Sequence, residues 1–147
     1  MFLLLILTAN EEVAVKHSII AVLFIALALP SLALADGHSV YIVEPKDGAV
    51  VSNPVKVIFG LSGMGVAPAG VERANTGHHH LLIDTELANL KAPIPSDEKH
   101  LHFGGGQTET TIELAPGSHT LQLVLGDYVH VPHDPPVVSK TITITVK

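Results

Sequence analysis

The chain contains no cysteine. No disulfide can brace it, and thiolate zinc or iron–sulfur chemistry is excluded. Tryptophan is also absent and aromatic residues make up only 4%, which leaves few stacking platforms for a sugar and ranks a carbohydrate-binding module low. Basic residues are scarce. Eight Lys and Arg against fourteen Asp and Glu give a formal net charge of −6, the wrong sign for a nucleic-acid partner. There is no G-x-S-x-G element and no H-E-x-x-H helix, so neither a nucleophile elbow nor a zinc-peptidase site is encoded. Gly104-Gly105-Gly106 does not open a helix after a strand, and its reading as a phosphate loop is poor. No pair of carboxylates stands out for glycoside hydrolysis.

The N-terminal part reads as an export signal. Lys16 and His17 precede an apolar run over residues 19–29, and Pro30-Ser31-Leu32-Ala33-Leu34-Ala35 supplies small residues at Ala33 and Ala35, the pattern of a cleavage site. The run is short against the roughly 20 apolar residues of a spanning helix. Residues 1–35 are therefore expected to leave as a signal peptide, with no stable membrane anchor afterwards and the mature chain starting at Asp36. Glu11 and Glu12 are wrong for a signal n-region, and residues 1–14 are expected to be a start-site artefact. Loss of Lys16, Glu11 and Glu12 leaves a mature charge of −5 on 112 residues, enough for one small core.

Residues 36–147 read as short strands separated by turn signals. Runs 39–43, 55–59, 78–84, 108–114, 120–125 and 138–146 alternate or are rich in β-branched residues. Residues 49–51 could form a short bridge. Residues 60–77, with six glycines or prolines, predict a long irregular loop, and residues 87–90 a single helical turn. Pro116-Gly117 predicts a hairpin between its flanking strands. The pattern predicts an all-β domain, a single immunoglobulin-like antiparallel β-sandwich of about seven strands over residues 36–147.

What the chain has in excess is histidine. Nine of its ten His lie beyond residue 35. Alternation along a strand puts His78 and His80 on one side with Leu82 and Asp84, and His79 on the other with Leu81 and Ile83. His78 and His80 then stand about 7 Å apart along one face. His100 and His102 repeat the spacing, and His130 and His133 follow in a proline-rich loop. Neutral imidazoles suit Cu(II), Zn(II) and Ni(II), and Met64 could add a soft donor. The candidate metal ligands are His78, His80, His100, His102, His130 and His133, with copper favoured and zinc as the other choice. His79 reads as a core residue and His119 as a strand-edge one. His38, third from the expected mature terminus, could chelate Cu(II) by itself.

The run from Pro45 to Val146 resembles a family of small exported bacterial proteins known as domain of unknown function 4399. The likeness is carried by Pro45-Lys46-Asp47-Gly48, Val66-Ala67-Pro68-Ala69-Gly70, Asn75-Thr76-Gly77-His78-His79-His80-Leu81-Leu82-Ile83-Asp84, His100-Leu101-His102-Phe103-Gly104, Gly106-Gln107-Thr108-Glu109, Pro116-Gly117-Ser118-His119-Thr120-Leu121-Gln122-Leu123 and Leu125-Gly126-Asp127. It implies a free-standing periplasmic or secreted domain and brings no activity or ligand, so function rests on the site. The residues predict an exported, non-enzymatic module whose partner is a metal ion. The alternatives are a structural or ligand-binding module with a metal-free histidine hydrogen-bond network and, behind it, a small hydrolase pairing a His with Asp84, Asp127 or Asp134.

Overall fold

The computed structural model describes residues 37–147. The expected signal peptide lies outside the described residues. Among the described residues no helix is long and apolar enough to cross a membrane.

Among the described residues nine strands form two sheets that pack face to face. The first holds β1 (Ser39–Glu44), β3 (Val55–Ser62) and β7 (Glu109–Ile112), in the order β1-β3-β7. The second runs β2 (Val50–Val51), β9 (Ile142–Val146), β8 (Gly117–Gly126), β5 (Thr76–Ile83), β4 (Gly65–Val66), with β6 (His100–His102) also on β5. The expected β-sandwich is present, with two refinements. Two further short strands, β4 and β6, arise where the sequence suggests only loop, and the pairings β2–β9 and β4–β5 are parallel.

Between the sheets lies the main core. Val40, Val55, Val57, Phe59 and Ile112 of one sheet meet Leu81, Ile83, Leu121, Leu123, Leu125, Ile144 and Val146 of the other. Each such fully buried aliphatic side chain contributes about 1.5–3 kcal/mol relative to an exposed one. No disulfide shares that task.

Strand β5 is the pivot. It pairs with β8 along one edge, from His78↔Gly126 to Ile83↔Leu121, while β4 and β6 divide its other edge. From Gly77 to Ile83 every residue is buried, so both of its faces are covered. Leu81 and Ile83 enter the main core. Leu82 instead joins Ile94, Val124, Leu87 and Val138 in a second, smaller cluster beneath the connection from β5 to β6.

Two local expectations fail for identifiable reasons. Pro116-Gly117 does not close a hairpin: β7 pairs with β3 and β8 with β5 and β9, so this turn carries the chain from one sheet to the other. Residues 87–90 hold one bend, at Ala88, and a turn at Leu90 rather than a helical turn, because Leu87 is recruited sideways onto Leu82 and Val124.

Candidate metal centre

The strand register assembles the site. Antiparallel pairing places His102 of β6 directly across from His80 of β5, and alternation brings His78 to the same outer face. The rings of His78 and His80 are 4.9 Å apart between centroids, and His102 lies 5.0 Å from each. One ligand nitrogen from each of these three side chains lies within 4.8 Å of the others. A fourth ring, His130, stands 4.8 Å from His102, 5.1 Å from His78 and 6.0 Å from His80. Four imidazoles thus crowd one point.

His130 comes from the loop after β8, and that loop is built to hold it. Asp127 Oδ1 accepts the N–H groups of Val129 and Val131, both at 2.9 Å. The backbone N–H of Asp127 donates to the Val131 carbonyl and that of His130 to the Asp127 carbonyl, while the His130 carbonyl accepts from Ile94. His130 itself sits at φ 71°, a left-handed conformation that costs a non-glycine residue about 1 kcal/mol or more. The surrounding bonds hold the residue there with its ring against the other three. Gly126 forms the floor. A β-carbon there would stand 2.9 Å from His80 Nε2 and 3.5 Å from the His130 Cα, filling the space between these residues.

Burial and mutual repulsion favour the uncharged form of His78, His80 and His102. Burial pushes His78 down to about 4, and charge on His102 or His130 would push it the same way. Burial again, then His78 and His102, pushes His80 down to about 3. His102 is lowered by burial and by His130. Neutral imidazoles with free lone pairs are what a metal ion requires. The Nε2 atoms of His78 and His80 are 3.1 Å apart, close to the roughly 3.3 Å that separates two nitrogens bound at 2.0–2.1 Å on one tetrahedral ion. Among the described residues, His78 Nδ1, His80 Nδ1 and His102 Nε2 are buried with no hydrogen-bond partner. An unmet buried polar group costs about 1–3 kcal/mol.

Residues 57–147 match the family model described as "Domain of unknown function (DUF4399)". The chain belongs to that family. No curated protein and no solved structure matches it.

The other histidines of this DUF4399 member stand apart from the cluster. His100 lies on the same face as His102 but turns to Asp97, its Nδ1–H donating to the carboxylate at 2.8 Å. His133 lies beside Gly77 and lines a separate cavity with His38 and Met64. His79 faces the main core. Its ring packs 5.1 Å from that of Phe59, and its Nδ1–H donates to the Gln107 carbonyl at 3.3 Å. His119 donates from both ring nitrogens, to Asp84 at 2.7 Å and to the Ala115 carbonyl at 2.8 Å, so no nitrogen remains to accept a proton from a nucleophile. Of the six candidate ligands, the structure brings four rings together, His78, His80, His102 and His130, and directs His100 and His133 elsewhere. The only sequence signal for Gly126 as the floor is a lone glycine ending a strand, which does not distinguish a site from a turn.

Proposed function

We propose that this domain is an exported, non-enzymatic binder of one transition-metal ion, held by His78, His80 and His102 with His130 as the fourth ligand. The reading rests on one observation above all: three buried or half-buried imidazoles whose ligand nitrogens lie within 4.8 Å of one another, with a fourth ring alongside. Copper is favoured because an all-imidazole site follows the general affinity order of first-row ions, in which Cu(II) exceeds Zn(II). Export is supported by the signal-like residues 16–35.

A metal-free histidine network is the second reading, favoured by the 3.1 Å approach of His78 and His80. It accounts less well for His102 Nε2, which has no partner among the described residues and which a closed network would satisfy.

The test is metal analysis of protein purified without an affinity tag, followed by thermal melting with and without Cu(II) or Zn(II). Ligand at about 100-fold over Kd raises stability by about 2.7 kcal/mol. The His80→Ala, His102→Ala double variant should lose that rise entirely. A wild-type melt indifferent to both ions would leave the network reading in its place.

A further inference from the structure

The loop that delivers His130 delivers another imidazole three residues later, on the opposite side of the sheet. A β-carbon built on Gly77 would come within 2.9 Å of both His133 Nε2 and Leu125 Cγ. Leu125 belongs to the main core, so His133 sits at the end of the sandwich interior, beyond the face of β5 that carries His78 and His80. Its Nε2 is buried without a hydrogen-bond partner among the described residues. His133, His38 and Met64 line one cavity of about 220 Å³, with Asn75 and Asp134 also in its wall. His38 packs beside Gly63, its Cδ2 2.8 Å from where a β-carbon would stand, and Gly63 precedes Met64 in the chain. Met64 is half-buried and is the only methionine among the described residues.

We propose that His38, Met64 and His133 form a second metal position, selective for a soft monovalent ion, Cu(I). The donor chemistry is unlike that of the four-imidazole group. A thioether prefers Cu(I) over Zn(II) or Cu(II), and two imidazoles complete a three-coordinate set. Glycine at 77 and at 63 leaves the room that the His133 and His38 rings take up. The two positions share a mounting. Residues 127–134 carry His130 to one and His133 to the other. One domain would then hold a nitrogen-only position and a nitrogen–sulfur position on opposite faces of β5.

Anaerobic titration of the untagged full chain with Cu(I), in competition with a chromophoric Cu(I) chelator, reads the stoichiometry. The His80→Ala, His102→Ala variant disables the first group and should still hold one equivalent of Cu(I), with a sulfur neighbour in the copper X-ray absorption fine structure. Adding Met64→Leu should remove the sulfur signal and weaken Cu(I) about tenfold or more. Uptake of no Cu(I) by the double variant in its folded state would overturn the proposal. If circular dichroism shows that variant unfolded, Met64→Leu and His133→Ala in the otherwise unaltered chain decide: each should weaken one equivalent while leaving the Cu(II) melting response intact. Unchanged Cu(I) affinity in both would equally overturn it.

Discussion

The two faces of β5 use the same side chain in different ways. On the inner face His79 sits in line with Leu81 and Ile83, packs on Phe59 and gives one proton to a backbone carbonyl. There the imidazole serves as a core residue with a polar handle. On the outer face His78 and His80 pack on other imidazoles, from a neighbouring strand and from a loop, and bring their Nε2 atoms to 3.1 Å from each other. All three residues are fully buried, so burial alone does not separate packing from ligation. The neighbours do: one histidine among apolar groups is core, and several whose ring nitrogens converge on a point form a set that could hold an ion.

Three perturbations separate these roles. The largest loss of stability is expected on the inner face. Leu81→Ala should cost about 2–5 kcal/mol in chemical denaturation, while any metal-induced rise in melting temperature persists. A variant that kept its stability but lost the metal response would merge the two faces into one unit.

Acid should act on the outer face. The unfolded chain protonates His78 and His80 near their ordinary pKa of 6.5, whereas the folded, metal-free protein resists until about 4 and about 3. The unfolded state therefore binds more protons in that window, and stability falls as pH drops from 6.5 towards 4. A tenfold difference in proton affinity between the folded and unfolded chain corresponds to about 1.4 kcal/mol, so His78 alone accounts for roughly 3 kcal/mol. The Asp84–His119 pair gives no competing loss across most of this window. His119 is raised by its bond to Asp84 and keeps its contribution at low pH. Asp84 is lowered and gives its contribution up only as pH falls below the usual carboxylate range. Urea melts of the metal-free chain at pH 7 and pH 5 check the slope. An equal midpoint at both would show that these rings protonate freely when folded.

How much of this is legible in the sequence depends on range. Alternation is local, and it assigns His78 and His80 to one face and His79, Leu81 and Ile83 to the other, as the structure has them. Convergence is not local. That His102 stands opposite His80 follows from the pairing of β6 with β5 across 22 residues of chain, and nothing in His100-Leu101-His102 says which of its two imidazoles meets the partner strand. His100 is claimed by Asp97, three residues away, a short-range competitor visible in the sequence but indistinguishable there from a solvated acid. The turn at Pro116-Gly117 misleads for the same reason. A turn signal marks where the chain reverses and not which sheet it enters next. The loop residues His130 and His133 read as one group because they are three apart, yet the edge of the sheet runs between them.

The smallest stability change should come from the sharpest form of the comparison, a matched pair of substitutions on adjacent residues of β5. His79→Leu exchanges one buried side chain for another of similar size and removes an Nε2 that has no partner, at the loss of a single long hydrogen bond. Such swaps cost less than about 1.5 kcal/mol, and the metal response should be untouched because that ring faces Phe59. His80→Leu makes the same exchange one residue along, where the ring neighbours are His78, His102 and His130. In the metal-free protein it too should cost no more than about 1–2 kcal/mol, the removal of one unmet nitrogen offsetting the loss of the 3.1 Å contact to His78 Nε2. The difference should appear only on adding Cu(II) or Zn(II): the position-79 variant should show the full rise in melting temperature and the position-80 variant almost none. If both lose the rise, the inner imidazole supports the outer ones through the strand; if both keep it, the ion is held elsewhere than between these rings.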